Sequence, residues 1–249
     1  MNKKLLFYIF ITCQLFLSNE IFAQKQNEIA LSLGTAQIKD NFNNGIVFTG
    51  AQISFDYQYS YVFSTIELAY NPKIALGIPF SRGMIAVNLN FVPIDISAYK
   101  PILKSDKHIV KIGVNFATNY GYQSYAGLHA ARLFWVGEIG IAPAIQYAHQ
   151  WKQSRIEINV QNSVLGFVSH TERYAPYFYS LKFSDFFVRP HQNMKFGSFD
   201  KYNHTKIVIG YNPNISKQNT FGFGAEYLGV YFNTRFQNLN YTLLWKRTL

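Results

Sequence analysis

The chain has 249 residues, 49% hydrophobic, 18% aromatic and only 14% charged, with a formal net charge of +10. So few charges, against about 25% in an ordinary soluble domain, exclude a disordered or coiled-coil protein. Tyr and Phe supply 41 of the 44 aromatics while mean hydropathy is only −0.04, so apolar residues are diluted one by one with Asn, Gln, Ser and Gly, which is a β signature.

The first segment is a targeting signal by its pattern. Lys3 and Lys4 form a basic start, Leu5 to Leu17 is apolar, and Ser18 to Ala23 ends in a small residue, the tripartite arrangement of a secretory signal peptide. The apolar stretch is shorter than the ~20 residues that span a bilayer as a helix. Residues 1–23 are therefore expected to be removed and Gln24 to become the first residue. Cys13 is the single cysteine and lies in this segment, so the mature domain, 24–249, has no disulfide and no thiolate chemistry. Its charge is 21 basic minus 12 acidic residues, or +9. An exported basic protein meets anionic lipid or polysaccharide rather than nucleic acid.

Strands are expected in chain order at Glu28–Ile38, Val47–Tyr61, Ile66–Ile78, Met84–Tyr99, Val110–Phe116, Leu128–Val136, Ile139–Tyr147, Ile156–Gln161, Tyr177–Ser184, Thr205–Tyr211, Phe221–Asn233 and Leu239–Lys246. The second is the clearest. Thr49, Ala51, Ile53, Phe55 and Tyr57 occupy one face, and Gly50, Gln52, Ser54 and Asp56 the other. Several segments match or exceed the 9–11 residues of a tilted membrane-spanning strand. In the fourth, the apolar phase flips at Val92-Pro93, which a β-bulge would absorb. Leu128–Val136 is separated from the next strand only by Gly137-Glu138; merging the two leaves an odd number, disfavoured in a bacterial single-chain barrel.

The fold expected is all-β: a single transmembrane antiparallel up-and-down β-barrel of about twelve strands, range about 10–14. With both termini periplasmic, Lys39–Gly45, Phe80–Gly83, Tyr120–Gly127, Gln150–Lys152, Asp185–Tyr202 and Thr234-Arg235 are placed outside. Lys100–Lys107 and Asn212–Asn219 become periplasmic connections, both longer than typical. No internal repeat is present. On these residues the mature chain resembles the outer-membrane β-barrel proteins of Gram-negative bacteria. The Phe22-Ala23-Gln24 junction and Tyr/Asn-rich strands are similar to those of the Bacteroidota. The resemblance implies residence in the outer membrane, contact with its lipid and lipopolysaccharide, handling by the barrel-insertion machinery, and room for another envelope protein as partner. Leu249 departs from the Phe or Trp that ends many such chains, though Leu243 and Trp245 keep the alternation.

Chemistry is sparse at this level. No two of His108, His129, His149, His170, His191 and His204 stand at a metal-ligand spacing. No cofactor, metal site or catalytic residue is expected. The His-x-Ser-Asn pattern of outer-membrane lipid A deacylases is absent, as is the serine–histidine signature of the phospholipases. The best acid–base cluster, His170-Thr171-Glu172 with Arg173, falls on a periplasmic turn in this topology. Charges are expected to face the lumen at Asp56, Glu67, Lys73, Lys111, Arg155, Glu157, Lys182, Lys206, Glu226 and Lys246. Both signs occur, which favours mutual pairing over a one-sign selectivity ring. In the loop Asp185–Tyr202, the residues Arg189, His191, Lys195, Phe196, Phe199 and Lys201 form a candidate contact site for a glycan or anionic lipopolysaccharide. Folding of that loop into the barrel mouth is the favoured reading, since Phe is rarely left in solvent without a partner.

The function expected is that of a non-enzymatic barrel, either a narrow channel or a membrane platform for a partner complex. The alternatives are a barrel-embedded hydrolase acting on lipid or surface glycan, and a soluble β-barrel with an apolar interior. The second would need its apolar face turned inward.

Overall fold

The computed structural model describes residues 25–41, 45–126, 133–163, 165–171, 180, 182, 184–215, 218–232 and 235–249. The signal segment and the proposed cleavage point lie outside them.

Alternation produces long strands: β1 (Lys25–Asp40), β2 (Val47–Phe63), β3 (Ile66–Tyr70), β4 (Lys73–Ser81), β5 (Met84–Lys104), β6 (His108–Ala126), β7 (Phe134–Trp151), β8 (Ser154–Ser163), β9 (Leu165–His170), β10 (Lys195–Gly197), β11 (Tyr202–Asn212), β12 (Asn219–Tyr231) and β13 (Arg235–Thr248). All thirteen belong to one sheet. β3 and β4 together pair with β2 and β5, and β8 and β9 together pair with β7. Each pair is thus one wall strand with a break. β1 bonds to β13 and β8 to β11, so the wall closes on itself with ten strands, β10 being a short addition above the start of β11. Closure removes the unpaired edges that lipid would not tolerate.

Two expected strands change. Phe134 to Val136 run straight on into β7 rather than forming a strand of their own, and residues 127–132 lie outside the described part. The Tyr177–Ser184 segment falls largely outside it too, and the wall closes without it.

Apart from the break between β8 and β9, the irregularities sit at or beside prolines, which cannot donate a ladder hydrogen bond. The wall strand β3–β4 breaks at Asn71-Pro72; in β5 the register shifts between Phe91 and Ile94 and again between Pro101 and Leu103. The first shift is the phase flip foreseen at Val92-Pro93. Ile85 and Val87 point out before it, and Ile94 and Ile96 after it. Asp95, Ser97 and Tyr99 are consequently turned into the lumen.

The outside is apolar. Ile53 is 45% exposed and Phe55 50%, whereas Gln52 and Ser54, alternating with them, are each 3% exposed. The same belt continues through Leu33, Leu76, Val114, Ile141, Phe223 and Leu243. A patch encircling the molecule far exceeds what a water-soluble monomer leaves uncovered. A soluble barrel with an apolar interior is thereby excluded.

Short turns at 64–65, 105–107 and 152–153 lie at the end where β1 begins and β13 ends, and the described part of the connection between β9 and β11 lies at the other. Short turns mark the periplasmic side. The turn through Gln150–Lys152 is therefore periplasmic, a correction to its expected outside position that follows from ten strands replacing twelve. β5 extends to Lys104, so the Lys100–Lys107 connection shrinks to a tight turn in which Ser105 N–H donates to His108 O at 2.8 Å.

Candidate functional site

The lumen carries side chains at three levels and is closed at the middle, while a pocket of about 490 Å³ stays open at the periplasmic end among Lys107, Ile109, Ala148, Gln150 and Arg155. Near the middle, His204 on β11 lies between two carboxylates: its Nδ1 is 2.6 Å from Glu138 Oε1 on β7, and its Nε2 is 2.9 Å from Glu226 Oε1 on β12. A carboxylate only accepts, so both bonds require both ring nitrogens to donate. The second Glu226 oxygen receives Lys73 Nζ at 3.0 Å. Beside this chain, Lys206 approaches Asp95 at 3.8 Å, and Asn115 donates to Asp95 Oδ1 at 2.5 Å and to Ser97 Oγ at 2.9 Å. Gln161 donates to Tyr99 OH at 3.1 Å and Tyr202 to Ser163 Oγ at 3.0 Å. The cavity among these groups is about 30 Å³, space for about one water.

Towards the extracellular end the lumen becomes an apolar core. Ile38, Val136, Val168, Tyr202, Leu228, Val230 and Phe236 pack in one cluster, and Phe48, Ala86, Tyr125 and Phe134 in another. His170 lies there as well, with Nε2 3.2 Å from Asp40 Oδ2 and its side chain 5% exposed. The His170–Arg173 cluster was expected on a periplasmic turn; its described part sits in the opposite mouth. Again the change from twelve strands to ten moves it. Towards the periplasm lie Lys111 with Glu67 at 2.5 Å, Arg155 with Glu157 at 2.7 Å, and Lys246 with Glu28.

Of the ten charges expected in the lumen, nine lie on the inward faces of strands. Asp56 lies 3.4 Å from Ser54 Oγ. Lys182 is the exception, exposed on the connection ahead of the helical turn α1 (Asp185–Val188). Sequence reasoning missed Glu28, Asp95, Glu138 and His204. Carrying the phase through the bulge would have turned Asp95 inward, and reading Gly137-Glu138 as strand rather than break would have done so for Glu138.

The described part of the long connection, residues 184–201, does not enter the mouth. Tyr120 and Tyr122 on β6, Trp135 and Gly137 on β7, and Ser169 on β9 belong to the outward faces of their strands, and α1 with the 3-10 turn Arg189–His191 lies on them. Tyr122 OH and Ser169 Oγ donate to the carbonyls of Phe186 and Pro190, and Tyr120 OH meets His191 Nε2 at 2.8 Å. The reading of this loop as a plug is therefore corrected: it is a strap on the outer wall near its extracellular rim. The inside was already filled by the apolar clusters, while the wall tyrosines offered hydroxyls needing partners. Of the candidate contact residues, Arg189 pairs with Asp185 and Lys201 with Asp200, both at 3.6 Å. Phe196 stacks edge-on to Phe167, their centres 5.7 Å apart. Phe199 is 68% exposed, and Lys195 is exposed beside Phe196.

Gly137 allows this packing, because a Cβ there would stand 2.8 Å from Pro190 Cβ and 3.0 Å from its carbonyl oxygen. Gly137→Leu is expected to lift the strap without opening the wall. Limited proteolysis should then cut within residues 184–197 while the barrel retains its heat-modifiable gel mobility; an uncut strap would refute this packing.

The sequence left the histidines unpaired, but strand pairing brings two together. His108 and His149 are direct partners across β6 and β7, with their Nδ1 atoms 3.3 Å apart.

No family model and no curated protein matches the sequence. The fold is similar to that of the outer membrane protease OmpT from Escherichia coli, at 8% identity over 93% of this chain and 99% of that one, TM-score 0.52. It is also similar to the translocator domain of the autotransporter NalP from Neisseria meningitidis, at 6% identity over 98% and 95% of the two chains, TM-score 0.42. Neisserial surface protein A matches at 8% identity over 91% and 99%, TM-score 0.38. Such identities speak to fold alone. The likeness to OmpT, together with a closed wall, an apolar belt and a polar lumen, gives this chain the fold of a membrane β-barrel of the outer-membrane type.

Proposed function

We propose that the protein is a plugged, non-enzymatic barrel that serves as a membrane platform rather than as a channel. The observation that carries this reading is the mid-lumen network, where His204, Glu138, Glu226 and Lys73 leave a cavity of only about 30 Å³. A solute pathway needs a continuous wet bore, and here charges of opposite sign are paired across it. Among the described residues, His204 with two carboxylates is the fullest arrangement suited to acid–base chemistry. It lies beneath the apolar clusters of the mouth, without the substrate access that a hydrolase needs. A partner would meet the protein at its faces: outer-leaflet lipid and lipopolysaccharide along the strap, and another envelope protein at either rim. The Bacteroidota-like signal junction fits export to such an envelope.

In planar bilayers the purified barrel is expected to show little or no conductance. A large, stable, ion-selective conductance would overturn the plugged reading. Turnover of an outer-membrane lipid that is lost in His204→Gln would favour the hydrolase.

A further inference from the structure

The His108–His149 pair is not explained by the lumen, the strap or the platform reading. Both side chains stand on the outward faces of their strands at the periplasmic rim, next to Tyr147, and all three are half-exposed. Tyr147 OH is 3.0 Å from His108 Nδ1, and His149 Nδ1 is 3.3 Å from the same atom. One imidazole nitrogen offers either one proton or one lone pair, so it serves only one of these two neighbours at a time. Tyr147 OH and His149 Nδ1 thus compete for one nitrogen, and whichever is not served keeps an unused donor atom beside it.

The spacing is that of a metal chelate. Imidazole nitrogens bind zinc at about 2.0–2.1 Å, and at the tetrahedral angle two of them are separated by about 3.3–3.4 Å. The Nδ1 atoms already have this separation. Neutral imidazoles with a phenol oxygen suit late first-row divalent ions, whereas calcium and magnesium require carboxylate and carbonyl oxygens. Among the described residues no group of three or more His, Cys, Asp or Glu could hold a metal. The remaining positions therefore fall to Tyr147 and water. Lys104 at the end of β5 and Lys107 in the adjoining turn outnumber Asp106 beside them, which weakens cation binding and makes the site one of modest affinity.

We propose that His108 and His149, assisted by the Tyr147 hydroxyl, form a surface site for Zn(II) or Cu(II) that ties β6 to β7 at the periplasmic rim. Pairing of adjacent strands would then be reinforced where the wall leaves the bilayer, since an ion that binds only the folded barrel stabilises it by mass action.

The test uses the full barrel in detergent, titrated with Cu(II) and followed by electron paramagnetic resonance. One ion per barrel with a two-nitrogen signature is expected. Affinity should fall at least tenfold in His108→Asn and in His149→Asn, and a few-fold in Tyr147→Phe. An unchanged titration in the double His108→Asn/His149→Asn variant would refute the site. A second measurement needs no variant: Zn(II) should protect His108 and His149, but not His191, from diethyl pyrocarbonate, as read by peptide mass spectrometry. Equal modification of all three with and without Zn(II) would equally refute it.

Discussion

Glu226→Ala should be among the most damaging single changes in the barrel, costing about 3–5 kcal/mol of folding stability. The carboxylate serves two cations at once, Lys73 at 3.0 Å and His204 at 2.9 Å, and is only 18% exposed. Removing it leaves Lys73 without its 3.0 Å partner and beside a His204 that keeps only Glu138. Two controls fix the interpretation. Asp200→Ala breaks a pair whose side chains are 50% and 69% exposed, and should cost at most about 1 kcal/mol. The double variant Lys73→Met/Glu226→Leu removes both charges and should recover most of the loss, because well-packed apolar groups replace a buried ion pair at little cost. Urea unfolding from lipid vesicles, read by tryptophan fluorescence and gel shift, measures all three. If Glu226→Ala stayed within 1 kcal/mol of wild type, the network would not be what fills and steadies the lumen.

The next largest effect is expected from Ile53→Arg. Ile53 lies in the belt between Ala51 and Phe55, and a cation there near the bilayer midplane costs about 2–4 kcal/mol. From the period of two alone, Ser54→Arg should cost less, its side chain reaching water inside. The filled lumen changes that expectation. Ser54 is 3% exposed beside Asp56, and an arginine there must displace its packed neighbours at about 1–3 kcal/mol. The two penalties have different origins and can be separated. The Ile53→Arg loss should shrink markedly in detergent micelles, where the side chain can bend to water, while the Ser54→Arg loss should persist. Equal shrinkage of both would mean that the β2 faces are exchanged or that its lumen side is wet.

The wall was legible in the sequence because each of its strands is a local object. Whether Ile53 faces lipid depends on Gln52 and Ser54 beside it, and a strand of period two needs no distant residue to define its faces. The bulge at Val92-Pro93 was readable for the same reason, as a phase change within one strand. Nine of the inward charges, of both signs, were legible from the same alternation, while Glu28, Asp95 and Glu138 were not. Which charge meets which was not: Lys73 and Glu226 lie 153 residues apart and meet only once the barrel closes across its own diameter.

The amino-acid sequence by itself thus determined a lipid-facing barrel, its polar inward faces and its bulge, all consequences of side-chain alternation along a pleated strand. The tertiary structure alone decided three matters. It set ten wall strands, because Phe134–Val136 continue into β7 and the wall closes through β8 and β11. It laid the aromatic loop on the outer wall, because Ile38, Val230, Phe236 and their neighbours had already filled the mouth while Tyr120 and Tyr122 waited for partners outside. It joined His108 to His149, because register between β6 and β7 places residues 41 positions apart directly opposite each other. Each depends on which strands become neighbours and at what register, and hydrogen bonding between distant segments settles that only when the sheet closes.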